Sequence, residues 1–107
     1  MCYNLGTVKF KTSLGKTVEL TIERKEHILS RHPDLNSYFK LIKDVLLKPD
    51  KLKISSSDSK VLLFYKFFDN ILDGKYIAVS VKINERSFIL TAYLTSRILS
   101  GEDYAKK

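Results

Sequence analysis

Three stretches in the second half of the chain leave little choice of fold class. Lys60–Phe68 is apolar on both alternations and broken only by Lys66, the pattern of a central strand covered on each face. After the loop Asn70–Gly74, Tyr76–Ile83 alternates strictly. Ile77, Val79, Val81 and Ile83 take one side; Tyr76, Ala78, Ser80 and Lys82 take the other. Asn84, Glu85 and Arg86 then turn the chain into Ser87–Thr95, where Phe88, Leu90, Ala92 and Leu94 oppose Ser87, Ile89, Thr91, Tyr93 and Thr95. Consecutive strands joined by short turns predict an antiparallel meander with one strongly apolar face.

The first half supplies what covers that face. Val8–Thr12 and Lys16–Leu20 alternate around Leu14 and Gly15, which predicts a short hairpin. Thr21 is an N-cap for a helix that starts at Ile22, with Glu23 in its first turn. That helix runs to Arg31, because His32 precedes Pro33 and a residue before proline is driven out of the α region. Asn36 or Ser37 caps a second helix, whose stripe Phe39, Ile42, Val45 and Leu46 faces a core and which ends at Lys48 before Pro49. Leu52–Ser55 is a short strand, and Ser55 to Asp58 a turn. The expected fold is α+β: a short β-hairpin, then two helices packed on a four-stranded antiparallel β-sheet. The polar end, Ser96–Lys107, is expected to form a short helical turn and a frayed tail.

A chain of 107 residues is expected to be one domain with a single core. Cys2 is the sole cysteine, which leaves no disulfide framework and fits a reducing, cytoplasmic setting. No apolar run is long enough to span a bilayer, and Met1–Phe10 lacks the basic start and apolar block of a secretory signal. The net charge of +7 carries more information. Lys and Arg outnumber Asp and Glu by 12 to 7 through Lys60 and by 7 to 5 beyond it, so the excess is spread over the fold. A folded basic domain points to a polyanion, with nucleic acid the default partner. A lysine-rich surface that only maintains solubility is the alternative.

Candidate chemistry centres on the two histidines, His27 and His32. With Ile22 and Leu29 taken as the inward face and about 100° per residue, Arg24, His27 and Arg31 share a stripe turned away from the core. His27 then serves either acid–base chemistry or a plain solvated face; His32 either reaches the same cleft or only closes the turn before Pro33. The outer face of the sheet carries Ser80, Lys82, Thr91, Tyr93 and Thr95. Lys66 joins it if Val61, Leu63, Tyr65 and Phe67 point to the core. This face is either a phosphate-binding concavity or the ordinary solvent side of a one-sided sheet. Two histidines without cysteine, or carboxylates at ligand spacing, do not fill a typical zinc site, and no metal or other cofactor is expected. Glycines at 6, 15, 74 and 101 build neither a P-loop nor a dinucleotide fingerprint, and no nucleophile elbow is present. Metal-free acid–base chemistry on a phosphodiester remains, since RNA brings its own 2′-OH nucleophile.

Five segments in order, His27–Leu35 (H-I-L-S-R-H-P-D-L), Leu47–Asp50, Phe64–Lys66, Val79–Lys82 and Phe88–Thr95 (F-I-L-T-A-Y-L-T), resemble the phage-associated branch of the barnase–EndoU–colicin–RelE-like (BECR) nucleases. The resemblance spans most of the chain from residue 20 onward. It implies a compact two-layer fold and metal-independent RNA cleavage by phage effectors or toxins, often directed at tRNA. It makes His27 a general acid or base, gives Arg31 and His32 auxiliary or phosphate-binding roles beside Arg24, and sets Lys66, Lys82, Thr91, Tyr93 and Thr95 around the scissile phosphate. Many relatives carry a Trp after their last glycine; here Gly101 is followed by Tyr104, and the chain has no Trp.

The expectation is therefore an endoribonuclease that acts on RNA, with an inhibitor or antitoxin protein as a further partner and no membrane association. Two other classes stay open: an RNA-binding module without chemistry, and a protein-interaction domain such as a decoy or immunity partner.

Overall fold

The computed structural model of the chain describes residues 7–55, 58–71, 73–96 and 102–103, the last pair by backbone alone. Cys2, Gly101, Tyr104 and most of the polar tail lie outside the described residues, as does the middle of the turn expected after Ser55. The elements are β1 (Thr7–Lys11), β2 (Thr17–Thr21), α1 (Ile22–Arg31), a 3-10 segment (Pro33–Leu41), α2 (Ile42–Leu47), β3 (Lys51–Ile54), β4 (Val61–Phe68), β5 (Lys75–Lys82), β6 (Phe88–Thr95) and β7 (Glu102–Asp103).

The fold is α+β, and the antiparallel meander β3–β4–β5–β6 is present as expected. The sheet around it is larger and mixed. Its strand order is β1-β2-β6-β5-β4-β3-β7, so the N-terminal hairpin continues the sheet and does not stand apart. β2 runs parallel to β6 and meets it at one pair, Glu19 opposite Phe88, with the Glu19 N–H donating to the Ser87 carbonyl at 3.0 Å. At the far edge, β7 pairs antiparallel with β3, where a helical turn and frayed tail were expected. Alternation reveals that a strand exists, but one bridging pair leaves no pattern that names its partner.

Helix α1 begins and ends where local chemistry dictates. The Thr21 hydroxyl accepts the Arg24 N–H at 3.1 Å, and His32 leaves the helix at φ −132°, ψ 70° directly before Pro33. The second helix is shorter than expected. Pro33 starts a 3-10 run, where its missing N–H costs nothing at the first position, and regular α structure covers only Ile42–Leu47. No side-chain cap begins either segment, so Asn36 and Ser37 do not act as caps.

The helical layer lies on one face of the sheet. Ile28, Leu35, Ile42, Val45 and Leu46 pack there against Val18, Leu20, Leu62, Phe64, Ile77, Val79, Val81, Ile89 and Ala92. Lys25 adds a cation over the Phe39 ring, 5.0 Å from its centroid. Two facing assignments differ from expectation. In β4 the core residues are Leu62 and Phe64, so Lys66, two positions on, lies on the helical side. In β6, Ser80 pairs with Thr91 but Val81 pairs with Ile89, which makes Leu90 the extra residue of a β-bulge. The bulge shifts the phase of the strand, so Ile89 is buried in the core and Phe88 turns outward beside Lys82.

Candidate functional site

Because β2 touches β6 only at its start, the chain leaves the sheet after Thr21 and continues as α1, which packs against β6. The inward side of α1 is set by Ile28, its one fully buried residue. Ile22, taken from sequence as inward, is 47% exposed. The helix is therefore rotated from the expected setting. Arg24 and His32, one turn to either side of Ile28, are half-buried, whereas His27 and Arg31 are exposed. The expected stripe of Arg24, His27 and Arg31 is thus divided between the margin of the core and open solvent.

Helix and strand meet through the other histidine. The His32 ring lies 5.8 Å from the Tyr93 ring, centroid to centroid, with the planes inclined at 35°. Pro33 contributes to this: the non-helical backbone it imposes on His32 takes the residue out of the helical stack, where its ring meets Tyr93 of β6. Burial, aided by the neighbouring Tyr65 hydroxyl, pushes the Tyr93 phenol up to about 12. Near neutrality Tyr93 is a hydrogen-bond donor and not a base.

At the other end of α1 a cleft of about 500 Å³ is lined by Glu19, Thr21, Arg24, Asn84, Glu85, Arg86, Phe88 and Ile89. A shallower hollow beside it, lined by Thr21, Glu23, Arg24 and His27, shares Thr21 and Arg24 with the first. Arg24 is the cation common to both and lines the second beside His27. Arg86 forks onto Glu19, with Nη2 to Oε1 at 2.8 Å and Nε to Oε2 at 3.3 Å, and that carboxylate holds the guanidinium pKa above its usual value. Sequence reasoning missed Arg86 and Phe88 as candidates. Arg86 reads as a turn residue, and the bulge that turns Phe88 outward has no signature in the alternation.

The two lysines expected at the phosphate are committed elsewhere. Lys66 donates from Nζ to the Lys48 carbonyl at 3.1 Å and lies 3.9 Å from Asp50. It closes the end of α2 on the helical side and does not share a face with Thr91 and Tyr93. Lys82 is on the expected outer face but is paired with Asp58; that bond, first of all, lowers the pKa of Asp58. Cross-strand register puts Ser80 beside Thr91, Ala78 beside Tyr93, and Tyr76 beside Thr95. Thr91, Tyr93 and Thr95 are half-buried there, and Ser80 is buried.

That face is more aromatic than the sequence suggested. Tyr65, fully buried, meets Tyr76 edge-on at 6.3 Å, and Tyr76 meets Phe67 at 5.1 Å. Among the described residues no group of three or more His, Cys, Asp or Glu is arranged to hold a metal ion, and no helix is long and apolar enough to cross a membrane. No protein-family model matches the chain, and no curated protein or solved structure matches it either.

Proposed function

We propose that the chain is an RNA-binding domain of the BECR nuclease type that cleaves RNA by transesterification. One observation carries this reading above the others: His32 is set against Tyr93, which joins the histidine segment and the T-A-Y-x-T strand of the resemblance. The charge of +7 supports a polyanionic substrate, and Arg24, bordering both clefts, is a cation available to a phosphate.

In the reaction, the 2′-oxygen of one nucleotide bonds to the adjacent phosphorus while the bond from phosphorus to the 5′-oxygen breaks. A histidine takes the proton from the 2′-OH, and an acid returns one to the leaving 5′-oxygen. The products are a 2′,3′-cyclic phosphate and a 5′-OH. His32 and His27 are the proton carriers, with His32 the nearer to the strand. Tyr93, protonated, donates a hydrogen bond to a phosphate oxygen, while Arg31, in the last turn of α1 beside His32, offsets the charge that develops there and Arg24, at the other end of the helix, holds a neighbouring phosphate of the strand. Lys66 has no part, because it closes α2.

The test is incubation of the purified chain with total RNA or tRNA in EDTA, followed by analysis of the new ends. Cyclic phosphate ends are expected, and His32→Ala and His27→Ala should each slow cleavage by about 100-fold or more. RNA left intact at all protein concentrations removes the chemistry. A second reading, binding without cleavage, is favoured by the pairing of Lys66 and Lys82 with Asp50 and Asp58. It predicts salt-sensitive RNA binding that ignores both histidine variants.

A further inference from the structure

We infer that a hollow at the turn end of the core is a binding site for a short amphipathic carboxylate, a ligand separate from the RNA proposed above. The hollow has a volume of about 260 Å³ and is lined by Leu14, Lys16, Ser59, Lys60, Leu62 and Ile83. Leu62 belongs to the buried core, and Leu14 and Ile83 pack half-buried against it. The apolar part of the lining is therefore an open margin of the core itself. Lys16 and Lys60, both exposed, complete the lining together with Ser59, and no carboxylate takes part in it.

The backbone beneath each lysine is pinned. The Lys16 carbonyl accepts the Thr12 N–H at 3.0 Å and the Thr12 hydroxyl at 2.9 Å, around Gly15 at φ 79°. Thr12 is itself buried, and the Ser13 N–H donates to the Leu46 carbonyl at 2.9 Å, which ties this turn to the end of α2. On the opposite wall the Lys60 N–H donates to the Asp58 carboxylate at 2.9 Å, and the Lys60 carbonyl accepts the Ile83 N–H at 2.7 Å. The ammonium groups, by contrast, are uncommitted. Asp58, the carboxylate beside Lys60, is taken by Lys82, and among the described residues neither Lys16 nor Lys60 forms an ion pair.

Apolar surface and unpaired positive charge in one hollow call for a ligand that satisfies both. A carboxylate has two oxygens to set against two ammonium groups, and an aliphatic tail covers Leu14, Leu62 and Ile83. The volume is smaller than that of clefts that hold drug-sized ligands, so the tail is short. A phosphodiester strand has no such tail and leaves the apolar lining in water. The occupant assigned to this site is therefore a small monocarboxylate of the fatty-acid type.

The experiment follows the backbone amide signals of the isotope-labelled chain during titration with hexanoate, acetate and 1-hexanol. Hexanoate is expected to shift the amides of Leu14, Lys16, Lys60 and Leu62 to saturation. It should bind at least about tenfold more tightly than acetate, because each buried methylene adds about fourfold. Hexanol, with the tail but no charge, should be weaker as well. Lys16→Gln and Lys60→Gln lie on the surface, and each should weaken hexanoate by roughly two- to fivefold, as for an exposed ion pair. The dispersion of the amide signals shows that both variants are folded. Acetate as tight as hexanoate leaves only two cations and overturns the site, and hexanol as tight as hexanoate overturns the part given to the lysines. No saturable shift at these four amides, or hexanoate binding unchanged in both variants, overturns the assignment. None of these results bears on RNA cleavage, which is tested separately.

Discussion

Tyr93 does two things at once: it donates a hydrogen bond near neutrality, and it links the outer face of the sheet to His32. Its phenol is raised from about 10 in an unfolded chain to about 12 in the fold, chiefly by burial. The folded state thus holds that proton more tightly than the unfolded state does. The resulting stability is fully present below pH 10 and is lost as the pH rises toward 12. Tyr93→Phe removes the titrating group, so the variant should lose less stability than wild type across this alkaline window. Absorbance titration of tyrosinate should also lose its component near 12. A wild-type titration that already lacks this component contradicts the burial argument. His32 shows how far one neighbour reaches: Pro33 takes its backbone out of the helix, and there the imidazole meets Tyr93.

Helix α1 separates what a sequence reveals from what it hides. Both ends were legible, because a threonine cap and a pre-proline stop are local chemistry. Thr21→Ala deletes the cap, and urea unfolding should show a loss of about 1 kcal/mol; an unchanged midpoint would mean the cap contributes nothing. The face was not legible. Ile22, Ile28 and Leu29 are the apolar residues of a ten-residue helix, and anchoring on Ile22 rotated the expectation away from Ile28. Tertiary packing chose among them. The meander strands were legible from their period of two, but the phase of β6 before Leu90 was not, since a bulge adds a residue without changing composition. Nor was the facing of β4, where apolar residues on both alternations fit either orientation. As a result the residues near the strand differ from those expected: His32 and not His27 meets β6, Lys66 lies on the helical side, and Arg86 and Phe88 line the cleft at the start of α1.

At the scale of the molecule, the order of the sheet leaves β1 outermost among the described residues, paired on one side only with β2. Its other side is a row of backbone donors and acceptors, with Val8 52% exposed beside it. Such an edge is a template on which another extended chain can add itself. Lys9 and Lys11 stand there, both exposed, and two copies brought edge to edge would set like charges against each other. Lys9 and Lys11 would thereby have a use that requires no ligand, keeping one copy of the chain from recruiting the next. Lys9→Thr together with Lys11→Thr should leave the fold intact and make the protein self-associate as its concentration rises. Sedimentation at several loadings would detect this, and a monomer at every loading would show that other features guard the edge. A strand that joins its sheet through one neighbour has to be defended on the side where it has none.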